Sequence, residues 1–219
     1  MKIIAISDTH LRHKSGSFPE IPKCDLLIHA GDFTFEGNVK EVREAMDWFG
    51  SLQSGYKVCC AGNHDWLFQR DPTLARSLIP PGVVYLEDNM TEIEGVKIYG
   101  SPWTPEFMNW AFNLYRGYPL RQKWDKIPDG IDILVTHGPP QSFGDYLKDG
   151  ESVGCADLCK AVNRIQPRIH IFGHIHNGYG RYTDGYTTYI NASICDEDYR
   201  PINPPIPLFL DTNDEEVES

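Results

Sequence analysis

Lysine and arginine are scarce in this 219-residue chain: 20 of them face 31 aspartates and glutamates, a formal net charge of -11. Tracks that grip extended nucleic acid or an anionic membrane need clustered cations, so neither partner is expected. No apolar run approaches the ~18 residues of a membrane-spanning helix. The cysteines at 24, 59, 60, 155, 159 and 195 lack metal-finger spacing. Cys155 and Cys159, four apart on an expected helix, read as two partly buried thiols. The chain opens on strand-like residues without the charged and then apolar leader of a secreted protein, so the expectation is a reduced, cytoplasmic one. Repeats, linkers and low-complexity breaks are also missing, which predicts a single domain over 1–210. After it, 211–219 carry Asp211, Asp214, Glu215, Glu216 and Glu218 with too little apolar content to order themselves, and are expected to be a solvated acidic tail.

Strand-like runs rich in β-branched residues fall at 2–7, 26–30, 56–61, 96–100, 131–136, 169–172 and 187–191. Several are nearly continuous in apolar character, which predicts strands covered on both faces. Val39, Val42, Met46 and Phe49 recur at helical spacing behind a cap at Asn38. Asp71 and Pro72 open a second helix. A third carries Leu158, Ala161, Val162 and Ile165 and closes at Pro167. Strands alternating with helices make a layered α/β fold. The segment 101–124 breaks the rhythm: Trp103, Phe107, Trp110, Phe112, Tyr115, Tyr118 and Trp124 follow neither period and read as an irregular aromatic cap.

Five of the runs end in residues that bind metal ions: Asp8 with His10, Asp32, Asn63 with His64, His137, and His174 with His176. Carboxylates, an amide oxygen and imidazoles suit Mn²⁺, Fe²⁺ or Zn²⁺, and no Cys joins them. Singly each has an ordinary reading as a cap, turn former or loop histidine. Together, in order at successive strand ends where α/β sheets gather their ligands, they predict a two-metal hydrolase site. His29 and His170, inside apolar strands, read as core or supporting residues.

Asp8 with His10, Gly31 with Asp32, the run from Gly62 to Asp65, His137, and Gly173 with His174 and His176 resemble the full signature of the calcineurin-like metallophosphoesterases. The stretches 100–105, 112–117, 136–140, 178–180 and 187–193 resemble its metallophosphoesterase-domain-containing branch, some members of which lack the histidine that stands here as His174. The resemblance implies two facing mixed β-sheets flanked by helices, a four-layer sandwich with the ions at its rim. It implies one ion held by Asp8, His10, Asp32 and His176, and another by Asp32, Asn63, His137 and His174, with Mn²⁺ favoured and Fe²⁺ or Zn²⁺ as alternatives.

Water activated between two such ions would attack phosphorus in line. His64 is read as general acid to the leaving oxygen and Asp65 as its orienting partner or a turn residue. After Asp32 the chain runs Phe33, Thr34, Phe35, Glu36 and Gly37, without the acid and Arg that the family's protein phosphatases place there. The paired histidines resemble its phosphodiesterase branches, so a small phosphodiester such as a cyclic nucleotide is the expected substrate. Trp103, Trp110 and Phe112, with Asn113 and Arg116, are candidates to stack on a nucleobase or meet a phosphate, the aromatics equally to do no more than pack the cap onto the sheet, and Arg181 is a further phosphate candidate. A nuclease, or a nucleotide-binding scaffold of low turnover, is the alternative reading.

Overall fold

Alternation along each strand decides the layering. The computed structural model describes residues 1–211, so all but the first residue of the expected acidic tail lies outside the described residues. In β1 (Lys2–Ile6), Ile3 and Ala5 enter one apolar cluster while Ile4 and Ile6 enter another. The same split recurs in β2 (Cys24–His29), where Leu26 and Ile28 part from Leu27. Successive side chains of a strand point to opposite faces, so a strand apolar on both sides must be covered twice.

The first sheet continues with β3 (Ser54–Cys59) and β4 (Val83–Tyr85). The second is built from β5 (Asn89–Ile93), β6 (Val96–Ser101), β9 (Ile133–Thr136), β10 (Ile169–Phe172), β11 (Gly180–Thr183) and β12 (Thr188–Asn191), while β13 (Ile206–Phe209) returns to the first. A short pair, β7 (Thr104–Pro105) and β8 (Asn113–Leu114), stands apart. Strand orders are β13-β1-β2-β3-β4 and β11-β12-β10-β9-β6-β5. Inner strands pair in parallel, and β13, β11 and β5 are antiparallel edges. Ile3, Leu26, Val58, Ile98, Ile133, Ile171 and Ile190 fill the space between the sheets.

Outside the first sheet lies α1 (Val39–Ser51), whose Val42, Met46 and Phe49 pack on Ile4, Ile6 and Leu27. Asn38 caps it by accepting from the Glu41 amide at 3.1 Å. The short α2 (Trp66–Arg70) and α3 (Pro72–Ser77) lie on the same side, the latter capped by Asp71. Outside the second sheet, α4 (Tyr118–Trp124) and α5 (Ala156–Ile165) bring Leu120, Trp124, Leu158 and Val162 onto Leu134, Phe172 and Tyr189. The molecule is thus helix, sheet, sheet, helix. The three predicted helices form; α2, α4 and the short strands are additional. All six cysteines are free thiols, with Cys155 at the start of α5 accepting from the Leu158 amide. No helix among the described residues is long and apolar enough to cross a membrane.

His170 is buried on the helix side of β10. Thr136 donates its hydroxyl to the Gly138 carbonyl at 2.8 Å, so the His170 ring must donate Nε2–H to Thr136, also at 2.8 Å. Its Nδ1 is left buried without a partner, and burial pushes the ring from 6.5 down to about 3. The unfolded chain therefore binds the proton first, and stability present above pH 6.5 drains as pH falls toward 3. Denaturant titrations should lose roughly 3 kcal/mol from this group by about pH 4. His170→Phe should flatten the acid limb by that amount; an unchanged limb would contradict the assignment.

Candidate metal centre

The chain leaves β1, β2, β3, β9 and β10 at the same rim, and each exit carries part of the donor set. Past their ends, β1 and β2 keep bonding: Asp8 N to Gly31 O at 2.9 Å, His10 N to Asp32 O at 3.1 Å, Leu11 N to Phe33 O at 2.9 Å. This continued ladder holds Asp8, His10 and Asp32 at φ of 52, 42 and 58°. His174 stands at φ 67°. Left-handed backbone costs a non-glycine residue on the order of 1 kcal/mol or more, and persists where its surroundings over-determine it. Gly31, at φ 99°, could not carry a Cβ, which would lie 2.6 Å from His137 Nδ1. At Gly62 a Cβ would collide with the Asp32 carboxylate, and at Gly173 with that of Asp8.

Three histidines spend Nδ1 on backbone carbonyls: His10 on Thr34 O at 3.0 Å, His137 on Ala30 O at 2.9 Å, His176 on Asp196 O at 2.8 Å. A carbonyl only accepts, so Nδ1 carries the hydrogen and Nε2 presents a lone pair. Those lone pairs face other acceptors. His137 Nε2 lies 2.8 Å from Asn63 Oδ1 and 3.3 Å from Asp32 Oδ2. His176 Nε2 is 3.4 Å from Asp8 Oδ1, and His10 Nε2 is 4.0 Å from Asp8 Oδ1 and 3.8 Å from Asp32 Oδ2. His10 Nε2 has no hydrogen-bond partner, though fully buried. Acceptors converging in a dry place repel unless positive charge sits among them. Donor atoms of Asp8, His10 and His176 form one group close enough to share an ion, and those of Asp32, His137 and His174 another. Asp32 also comes within reach of His10 together with His64, which places it between the two groups. The donor chemistry fits divalent cations.

The electrostatics agree. Burial pushes the Asp32 carboxyl up, but the charges of His137 and His64 outweigh it and hold the acid well below its ordinary value. Asp8 is likewise held down, burial being overcome by the hydrogen bond and charge of His176. On His137 burial opposes the proton, yet Asp32 carries the ring up to about 9. Without cations, these carboxylates gather protons onto imidazoles. His174 and His10, with burial dominant, fall to about 3 and about 4.

A model of the calcineurin-like phosphoesterase family matches residues 1–178. The chain belongs to that family. It is 43% identical over 236 residues to human metallophosphoesterase domain-containing protein 1, covering 96% of this chain and 71% of that protein. UPF0046 protein T07D4.2 of Caenorhabditis elegans is 37% identical, covering 94% of this chain and 59% of the worm protein. The crystal structure of TT1561 from Thermus thermophilus shares the fold, with a TM-score of 0.55 at 14% identity over 87% of this chain and 88% of that one. Family membership and the donor groups make this phosphoesterase a metal-dependent phosphoester hydrolase.

Asp65 organises the phosphoesterase's rim from beneath. Its Oδ2 accepts from the amides of Asp32 at 2.9 Å, Phe33 at 3.3 Å and Gly62 at 2.8 Å. Its Oδ1 takes the Thr34 amide at 3.1 Å and hydroxyl at 2.7 Å. The carboxylate is thus engaged with the metal loops, and the His64 ring is oriented instead by Phe35 O, 2.7 Å from its Nδ1. The His64 amide donates to Asp32 Oδ1 at 2.8 Å. Glu41 Oε2 in turn fastens the amides of Phe35, Glu36 and Gly37 at 3.0, 2.7 and 3.1 Å. On the opposite wall Asn191 Nδ2 bonds Ile175 O at 2.8 Å, and Ser193 Oγ donates to Asp8 Oδ2 at 2.8 Å. His29, buried, receives the Gly31 amide at 3.3 Å and bonds Thr9 at 2.9 Å.

Beside the centre a cleft of about 470 Å³ is lined by Asp32, Asn63, His64, His174 and His176 together with Trp110, Arg116 and Tyr199. The other candidates for substrate contact lie elsewhere, and the sequence reading is corrected there. Trp103 donates its indole N–H to Asp88 at 3.0 Å and has Lys123 over its ring, so it belongs to the core under the cap. Phe112 is buried against it, 5.4 Å between rings. Asn113 is taken up by the turn before it, accepting from Phe107 N and Trp110 N at 3.1 Å. Arg181 reaches the Pro207 carbonyl, tying edge strand β11 to edge strand β13. Glu197 and Tyr199 line the cleft without having been foreseen, since the turn after β12 carries no motif. The positive φ of Tyr199, 56°, has no sequence signal either.

Asp65→Ala would strip five hydrogen bonds from the loops around Asp32 while removing no donor of the two metal groups. Mn²⁺ affinity by titration calorimetry should fall about 10- to 100-fold, the range seen when a ligand's support is removed. Unchanged affinity would show that the loops hold themselves.

Proposed function

We propose that this chain is a dinuclear-metal phosphodiesterase acting on small phosphodiesters, cyclic nucleotides among them. The observation that carries the reading is how few cations face the cleft. Among the described residues Arg116 is the one Lys or Arg lining it, and its guanidinium is engaged with Gly154 O at 2.7 Å and Val153 O at 2.5 Å. Glu106, Glu151 and Glu197 line the same cleft. A monoester dianion brought here would meet carboxylates, whereas a diester carries one negative charge fewer and offers two organic groups to Phe107, Trp110, Leu147 and Tyr199.

Asp8, His10, Asp32 and His176 would hold one cation, and Asp32, Asn63, His137 and His174 the other, Mn²⁺ before Fe²⁺ or Zn²⁺. Bound there, such ions supply the Lewis acidity that activates water and neutralises charge gathering on phosphoryl oxygens. His64 donates Nδ1–H to Phe35 O, so in the imidazolium form its Nε2–H would be the proton delivered to the leaving oxygen. Its ring sits edge-on to His10, 4.8 Å between centroids, and 4.7 Å from Trp110. The loop tied down by Glu41 fixes the Phe35 carbonyl and, through it, the angle of that ring.

His64→Ala keeps the backbone amide that holds Asp32, so it should keep its metals while losing about 10²- to 10⁴-fold in kcat on bis(p-nitrophenyl) phosphate. Metal analysis beside Mn²⁺-supplemented turnover reads both quantities. Nearly full turnover in the metal-loaded variant would remove the general-acid assignment. A wild-type preference for p-nitrophenyl phosphate over the diester would remove the substrate assignment.

A further inference from the structure

The cleft does not end at Trp110. A second hollow of about 440 Å³ adjoins it, and Trp110 and Glu106 line both. Its own lining includes Trp66, Gln69, Asn109 and Tyr115. Trp66 stands two positions after His64, at the head of α2, with the Arg70 guanidinium 4.0 Å over its ring. Tyr115 is 73% exposed although aromatic. Gln69 spends its side-chain oxygen on the Phe112 amide at 3.1 Å, and among the described residues its N–H₂ group has no such bond. Asn113, set between the turn and β7, keeps Trp110 as a fixed ridge between the two spaces.

Direction follows from His64. The group that protonates the leaving oxygen marks the side on which the leaving group departs, and of the rings around His64 the one that also lines the hollow is Trp110, 4.7 Å away. Beyond the ridge lies the hollow. Resting on the phosphodiesterase reading above, we propose that the hollow is a leaving-group subsite and that the substrate is a linear diester whose departing alcohol is a planar, nucleoside-sized group. Trp110 and Tyr115 offer faces for stacking, Gln69 and Asn109 offer amides to base edges, and among the described residues no Lys or Arg lines the space to hold a further phosphate. In the step, the water oxygen bonds to phosphorus and releases one proton to solvent, the bond from phosphorus to the ester oxygen breaks, and the Nε2 proton of a doubly protonated His64 passes to that oxygen, the ring regaining its proton from solvent. A cyclic nucleotide leaves its departing oxygen tethered to the same ribose and so places nothing in the hollow.

The test compares adenylyl-adenosine with 2′,3′-cyclic AMP and bis(p-nitrophenyl) phosphate, using the Mn²⁺-loaded full chain and two variants at the exposed position, Tyr115→Ala and Tyr115→Glu. Losing one stacking face should lower kcat/KM for adenylyl-adenosine about 10-fold in both variants, with the cyclic substrate unchanged. If wild type hydrolyses the cyclic or aryl diester but not adenylyl-adenosine, or if the variants cleave adenylyl-adenosine as wild type does, the subsite is overturned and the phosphodiesterase reading stands. If no diester is cleaved while a monoester is, that reading falls and the subsite with it.

Discussion

Acceptors facing acceptors in a buried place are the constraint on which the rim depends. With Nδ1 of His10, His137 and His176 committed to carbonyls, their Nε2 lone pairs crowd toward Asp8, Asp32 and Asn63 without a proton to share among them. Left alone, such a group would draw in protons, as the raised His137 shows, or swing apart. It does not swing apart, because each member is gripped from behind. Asp65 fastens the Asp32 loop, Ser193 and the His174 amide fasten Asp8, and Asn191 fastens the turn leading to His176. Left-handed backbone at four candidate donor positions belongs to the same arrangement: local strain is accepted so that side chains from distant strands meet.

The sandwich makes that meeting possible. Three parallel strands of one sheet and two of the other end at a common rim, so donors separated by many tens of residues are brought within hydrogen-bond distance. An apolar cluster fills the interior between the sheets, and the helices seal the outer faces. Rigidity is therefore placed beneath the site, and variety is confined to the loops above it, where the aromatic cap and the turn around Tyr199 shape the cleft.

Much of this was legible in the sequence, for identifiable reasons. Inner parallel strands are apolar on both faces, so runs such as 169–172 stand out; α1 and α5 announce themselves by cap and period. The antiparallel edges β5, β11 and β13 were not seen, because one face of an edge strand meets solvent and residues such as Thr91, Arg181 or Pro207 resemble loop. The candidate metal donors were readable because each type follows a strand end. Roles that depend on direction were not. Asp65 sits beside His64 in sequence yet turns its carboxylate to the loops beneath, and Trp103, as aromatic as Trp110, turns inward to Asp88. Arg181 looked like a phosphate ligand and is a tie between sheet edges. A residue's type shows what it could bind; only the backbone shows which way it faces.

Asp32 is the group that both donor clusters need, and counting ions tests it most directly. Metal analysis and calorimetric titration of the wild-type chain with Mn²⁺ should find two ions per chain, and Asp32→Ala, with its fold verified by circular dichroism, should retain at most one of them weakly. Two tightly held ions in the variant, or none in the wild type at millimolar Mn²⁺, would contradict a shared dinuclear centre at this rim.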